Sequence, residues 1–358
     1  MMMYKLLESN SVSRKGMILS LLSNGEMEPR FKALGINVKS LGMKRGRFSI
    51  LKFIELVKIL RKEKPDLIST WLYHADLIGG LAGRLLNIPV CWNVGASAAS
   101  LTTLSKKTKF VIKICAFLSS WIPNKIIFNS KSGLRDHVDF GYKSGICEVI
   151  PNGFNLKLYK PDEKARKSFR NEIHVPQNSR LVGMIGRYDP IKNHEGFIKA
   201  CSLVAKAQKN VYFVLVGSGN DEMKQKITRW VQESGTREKF FLLGLRQDIA
   251  RISASLDVLV CPSWGEAFPN VVGEAMACGV PCVVSDVGDS PEIIKGSGIV
   301  IPPGNIEALA QGILKIIQLP KKQWQSLSNS ARKKITDEYE IGYIGKHFEK
   351  LYASFIKM

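Results

Sequence analysis

Acid is what this chain is short of. Its 358 residues hold 31 Asp and Glu against 52 Lys and Arg, a formal net charge of +21. The deficit is concentrated: residues 1–170 carry 29 basic and 12 acidic side chains, while residues 171–358 carry 23 and 19. The first part is therefore the part expected to meet something anionic. Cysteine is sparse too. The seven thiols (Cys91, Cys115, Cys147, Cys201, Cys261, Cys278, Cys282) are odd in number and include no C-x-x-C pair. That excludes a disulfide framework or a zinc ribbon and reads as buried thiols in a reducing compartment. No secretory signal is visible at the start. The most apolar helical stretch, Phe110 to Ile122, is too short to span a bilayer and contains Lys113. There is no low-complexity segment, no short tandem repeat and no recognisable nucleic-acid-binding motif. With 45% hydrophobic and 23% charged residues the chain reads as globular, and its length suits two domains.

Short β-rich apolar runs alternate with helical patterns throughout. The predicted strands are Gly16–Leu22, Ile36–Leu41, Asp66–Thr70, Pro89–Asn93, Lys125–Asn129 and Cys147–Ile150, then Leu181–Ile185, Val211–Val216, Phe240–Leu243, Val258–Cys261, Pro281–Ser285 and Ile299–Ile301. Helical segments such as 48–62 and 192–209 separate them. This alternation predicts parallel sheets with helices on both faces. Pro151-Asn152-Gly153 makes a turn after a strand and marks the boundary between two such halves.

The densest chemistry lies in Glu266-Ala-Phe-Pro-Asn-Val-Val-Gly-Glu274. Pro269 suits the first position of a helix and Gly279 suits its end. Glu266 is then a loop residue ahead of the helix, and Glu274 lies about one turn into it. The helix start offers unpaired N–H groups and a positive dipole end for a phosphate. Carboxylates beside it can accept from sugar hydroxyls. The plain alternative is an ordinary Glu before a helix and another on its solvated face.

The run from Ser263 to Val287 resembles the E-x7-E signature of retaining glycosyltransferases of family GT4. The resemblance implies the α/β GT-B fold: two Rossmann-like domains with parallel sheets facing a central cleft. Residues 1–152 would form an N-terminal, acceptor-side domain and 153–339 a nucleotide-sugar-binding domain. The terminal helix 340–358, an amphipathic pattern in itself, would return to the first domain or pack on the second. The expected reaction moves a sugar from a nucleotide diphosphate, UDP by family habit, to a lipid-linked or surface-polysaccharide acceptor, with retention.

Other motifs acquire roles from the same resemblance. Gly186-Arg187 with Lys192 follows a strand and resembles the family's G-R-x4-K element, so Arg187 and Lys192 would hold the diphosphate. Gly217 resembles the loop near the nucleotide, and Gly244-Leu245-Arg246 the segment whose backbone contacts the base. Phe268, Pro269, Asn270, Val271 and Glu274 would bind the donor, with Glu274 on the ribose and Glu266 on the sugar. His74 follows a strand and would lie near sugar or acceptor; the alternative is a helix-capping or packed histidine. No D-x-D pair stands in the sequence, so no metal and no other cofactor is expected.

Basic clusters Lys44-Arg45 with Arg47, and Lys106-Lys107 with Lys109, suit an anionic membrane surface, the last beside apolar Phe110-Val111-Ile112. A solvated face is the alternative for each. The implied location is cytoplasmic, peripheral at the inner face of the cell membrane. Two departures from the family pattern stand out. The chain opens with what reads as a helix, without the strand and glycine-rich loop that begin related sequences; sheet edges would then be left unpaired. Gly95-Ala96 stand where many relatives carry a histidine. These departures keep open a non-catalytic nucleotide-sugar-binding protein. A GT-B epimerase is a further alternative, and a nucleic-acid-binding protein comes last.

Overall fold

The structure, a computed structural model, describes residues 2–9, 16–23, 25–44, 47–96 and 105–355. The chain forms two compact units, Met1–Gly153 with Ile341–Met358, and Phe154–Glu340. All twelve predicted strands form, each within a few residues of its expected span. The runs at Val90–Val94, Arg180–Ile185, Val211–Val216, Val258–Cys261 and Cys282–Ser285 do so because they are apolar enough to be covered on both faces, as parallel strands require.

In the first unit the order is α1 (Met2–Glu8), β1 (Met17–Leu22), α2 (Glu28–Ala33), β2 (Asn37–Met43), α3 (Ile50–Glu63) and β3 (Ile68–Trp71). It continues with α4 (Tyr73–Leu85), β4 (Val90–Val94), α5 (Lys106–Leu118), β5 (Lys125–Phe128), α6 (Lys131–Asp139) and β6 (Cys147–Val149). β3, β4, β5 and β6 form one parallel sheet in that order. β1 pairs only with β2 among the described residues, in a separate two-stranded sheet. No residue of β1 is fully buried, although five of its six are apolar. The start of the chain is helical, as its sequence indicates. Met2 and Leu6 of α1 share a core with Cys91, Ile127 and the last helix of the chain.

The second unit begins with α7 (Glu163–Glu172), β7 (Arg180–Ile185), α8 (His194–Ala207), β8 (Val211–Val216), α9 (Asp221–Glu233), β9 (Phe240–Leu242) and α10 (Ile249–Ser255). Then come β10 (Val258–Cys261), α11 (Asn270–Ala277), β11 (Cys282–Ser285), α12 (Ser290–Ile294), β12 (Gly298–Ile301), α13 (Ile306–Ile317) and α14 (Lys321–Glu338). The last helix, α15 (Ile341–Ala353), belongs to the first unit. The six strands are parallel in the order β12-β11-β10-β7-β8-β9. Leu181, Val182, Phe213, Val214, Val258 and Leu259 are all fully buried. Each such side chain contributes about 1.5–3 kcal/mol by leaving water, which makes this sheet a stiff platform. Gly183 in β7 admits Leu256, whose methyls would lie 2.6–2.7 Å from a Cβ there.

The strand order has a functional consequence. After β7 the chain steps outward to β8 and β9, then returns to the other side of β7 with β10. The loops after β7 and β10 therefore leave the sheet in opposite directions. A crevice at the carboxyl ends of the strands opens at such a switch point, and this is where open α/β sheets bind ligands.

Candidate active site

Two loops meet at the switch point. After β7 comes Gly186-Arg187-Tyr188-Asp189, a single 3-10 turn Pro190–Lys192, and Asn193, whose side chain caps α8 by accepting from the Gly196 N–H. Asp189 Oδ1 accepts from the Ile191 N–H at 3.1 Å and fixes the turn. After β10 comes Pro262-Ser263-Trp264-Gly265-Glu266. Asn193 Nδ2 donates to the Pro262 carbonyl at 3.1 Å, and the Trp264 N–H donates to the Ile191 carbonyl at 2.8 Å. These two bonds tie one loop to the other.

The result is an ion pair across 74 residues of sequence: Lys192 Nζ donates to Glu266 Oε1 at 2.6 Å. The Ser263 hydroxyl donates to the same oxygen at 2.7 Å, and the Cys261 thiol approaches it at 3.7 Å. Glu266 is 9 % exposed. Burial alone pulls the Lys192 ammonium down, but the Glu266 carboxylate outweighs it and the net shift is upward. Burial pushes the Cys261 thiol up to about 12, so it stays protonated near neutral pH. Buried His194, next along, is lowered to about 4 by burial and by the Lys192 charge, and is neutral. Arg187 is exposed at the tip of the β7 loop, with Asp189 3.3 Å away.

The Glu266 loop is buttressed from behind. Gly288, with φ +56, lies so close that a Cβ there would run into the Glu266 carbonyl, and the Asp289 N–H donates to the Ala267 carbonyl at 3.0 Å. Pro269 is the N-cap of α11 and Asn270 its first residue, one position later than the sequence reading, because Pro269 has ψ +97, outside the helical range. Val271 follows, half-buried, and Glu274 is buried one turn on. Gly279, with φ +74, ends the helix region as expected. The Phe268 ring faces the core, stacked on Phe154 at 6.1 Å, so only its backbone is available to a donor.

The neighbouring strand ends are layered closely. The Gly186 N–H donates to the Val216 carbonyl, the Gly217 N–H to the Gly244 carbonyl at 2.8 Å, and the Tyr188 N–H to the Ser218 carbonyl at 2.8 Å. At Gly217 a Cβ would strike the Gly186 carbonyl, so only glycine fits. Gly244 has φ +64 and open space where a side chain would be. Leu245 is exposed beside it, whereas the Arg246 guanidinium is committed to Asp248 and Glu172 at 2.8 Å each. These bonds leave Arg246 a bracing role toward its own loop.

In the first unit, His74 is exposed in the first turn of α4 at the carboxyl end of β3. It follows Leu72, which has φ +80 and ψ +144. Two residues on, Asp76 is fully buried and accepts from Thr70 Oγ1 at 2.6 Å; burial raises its pKa well above the carboxylate range. Lys44, Arg47, Lys106 and Lys107 are exposed, Lys109 is half-buried, and Arg45 lies outside the described residues. Sequence reasoning missed Ser263, Cys261, Gly288 and Asp76. Only their adjacency in the fold reveals them.

Comparison with known proteins gives this geometry its setting. Residues 179–319 match the family described as glycosyl transferases group 1, and residues 14–158 match glycosyltransferase family 4. The chain belongs to the family 4 glycosyltransferases. It is a GT-B enzyme of the hexosyltransferase type. It is 27% identical, over 96% of its length and 93% of the relative's, to the N,N'-diacetylbacillosaminyl-diphospho-undecaprenol alpha-1,3-N-acetylgalactosaminyltransferase of Campylobacter jejuni. It is 26% identical, over 80% of its length and 75% of the relative's, to the UDP-Gal:alpha-D-GlcNAc-diphosphoundecaprenol alpha-1,3-galactosyltransferase of Escherichia coli. Among solved structures, Anabaena HepE in complex with UDP and glucose superposes with a TM-score of 0.86 at 20% identity, covering 99% of this chain and 95% of that one. Sucrose-phosphate synthase of Thermosynechococcus elongatus gives 0.78 at 21% identity, over 98% and 91%.

Proposed function

We propose that this glycosyltransferase moves a hexose from a UDP-sugar to a lipid-diphosphate-linked or surface-polysaccharide acceptor, with retention and without a metal ion. The observation that carries the reading is the Lys192–Glu266 pair at the switch point of the second unit. Glu266 Oε1 holds the protein's donors, and Oε2 has none among the described residues. Oε2 is thus the atom for a sugar hydroxyl. Lys192, Arg187 and the start of α11 supply positive charge for a diphosphate, the charge that grows as the leaving group departs. Glu274 is assigned to the ribose, and the Gly244-Leu245 backbone to the base. Support for a uridine donor comes from the galactosyltransferase relative, whose name contains UDP-Gal, and from HepE.

In the proposed step the bond between the anomeric carbon and the diphosphate oxygen breaks. The acceptor oxygen attacks the same face, and its proton passes to the departing diphosphate. UDP leaves with that proton. His74 is assigned to the acceptor side, in the first unit. The relatives' undecaprenol-linked acceptors favour a lipid-linked substrate here. The first unit adds a physical reason: 26 basic and 11 acidic residues give it a net of +15. Its helices α3, α4 and α5 pack side by side and leave Ile50, Leu51, Leu85, Phe110 and Phe117 exposed, with Phe48 just before α3 and Trp121 just after α5 exposed as well. Apolar bulk among cations fits the anionic inner face of a cell membrane.

The test is turnover of UDP-sugar by Glu266→Gln and Arg187→Ala. Each is expected to lose at least about 100-fold, the scale of removing one group that stabilises developing charge. Rates within a few-fold of the parent would refute the assignment. A second reading, a non-catalytic binder of nucleotide sugars, is favoured by the separation of β1 and β2 from the β3–β6 sheet among the described residues and by Gly95-Ala96. It predicts UDP binding without turnover.

A further inference from the structure

Three donors converge on one oxygen of Glu266, and only one of them is charged. Lys192 is at 2.6 Å, Ser263 at 2.7 Å and Cys261 at 3.7 Å. Glu266 is the only partner Lys192 has among the described residues, so two of its three N–H groups point elsewhere. Resting on the function proposed above, Lys192 has two duties: it neutralises a nine-tenths buried carboxylate, and it must meet the diphosphate. Those duties compete. Leaving a buried carboxylate without a partner is strongly unfavourable. A lysine that were its sole partner would be held back from the donor.

We propose that Ser263 is a positioning residue that frees Lys192 for the diphosphate. Its hydroxyl holds Glu266 Oε1 while the lysine turns toward the donor, and it keeps Oε2 aimed away from the protein. The geometry suits this: Ser263 is 1 % exposed and three residues from Glu266 in the same loop. That loop is pinned at both ends, by the Trp264 N–H on the Ile191 carbonyl and by Gly288 against the Glu266 carbonyl. The Cys261 thiol, 3.7 Å from Glu266 Oε1, is too weak a donor to take over.

The experiment is calorimetric binding of UDP and of uridine to the full chain, with Lys192→Ala, Ser263→Ala and Ser263→Thr. The parent is expected to bind UDP much more tightly than uridine and to lose most of that preference in Lys192→Ala. Ser263→Ala is expected to weaken UDP by about tenfold, equivalent to about 1.4 kcal/mol, with uridine changed by less than twofold. Ser263→Thr, which keeps the hydroxyl, restores UDP binding. If Ser263→Ala does not fold, Ser263→Cys, with its weaker donor, must give the same split. If the parent prefers UDP through Lys192 but the Ser263 variants keep that preference, the positioning role is wrong and the donor site stands. If the parent does not distinguish UDP from uridine, or Lys192→Ala keeps the preference, the diphosphate reading fails and this inference falls with it.

Discussion

Replacing Lys192 by Met keeps the length of the side chain and removes its charge. In the folded protein this leaves Glu266 with one strong donor, the Ser263 hydroxyl, in a site where its own side chain is 10 % exposed. Breaking a fully buried pair costs about 3–5 kcal/mol. Lys192 is 23 % exposed and Ser263 remains, so we expect less than that range, about 2 kcal/mol. The clean measure is a double-mutant cycle with Glu266→Gln, in which urea unfolding of parent, both single variants and the double variant isolates the pair. The coupling is expected at about 2 kcal/mol. It also has a pH signature. Lys192 is raised above its ordinary 10.5 in the folded chain. Its contribution is therefore fully present below about 10.5 and is lost as pH rises through the higher folded value. The coupling should be flat from neutral pH up to about 10 and shrink only above about 10.5. A coupling below about 0.5 kcal/mol at pH 7, or one that grows with pH, would refute the reasoning.

Leu72 is 77 % exposed and sits at φ +80, ψ +144, a backbone region that suits glycine. Leu72→Gly should relieve strain worth more than glycine's added flexibility, a net gain of about 1 kcal/mol and about 2–4 °C in the melting of the first unit. If the strain serves to present His74, the same variant raises the acceptor KM; a lower melting temperature contradicts the strain itself. The exposed layer of the first unit gives a further expectation. Phe117→Glu with Lys106→Glu should cut co-sedimentation with anionic vesicles at least about tenfold, since each basic residue near such a surface is worth about 1 kcal/mol. Binding to neutral vesicles at high salt, indifferent to these changes, would remove the membrane reading.

The parallel strands announced themselves in the sequence, because a strand covered on both faces must be a continuous apolar run. Val258-Leu259-Val260 is such a run, and all three residues are buried to 1 % or less. The loop-to-helix step at Pro269 and the helix stop at Gly279 were equally local, since fixed φ and positive φ are properties of single residues. So were the candidates Arg187, Lys192 and Glu266, each just beyond a strand. What a linear reading does not contain is which strands are neighbours. Only the placement of β10 beside β7 brings Lys192 onto Glu266, and only then do Ser263 and Cys261 acquire a partner to act on. The same holds for Arg246, turned away into Asp248 and Glu172, for Phe268, drawn into the core by Phe154, and for Gly288, needed because another loop's carbonyl comes too close. Local pattern determined the elements and the chemical types at their ends. Long-range packing decided which of those groups share a hydrogen bond, because that depends on contacts between segments dozens of residues apart.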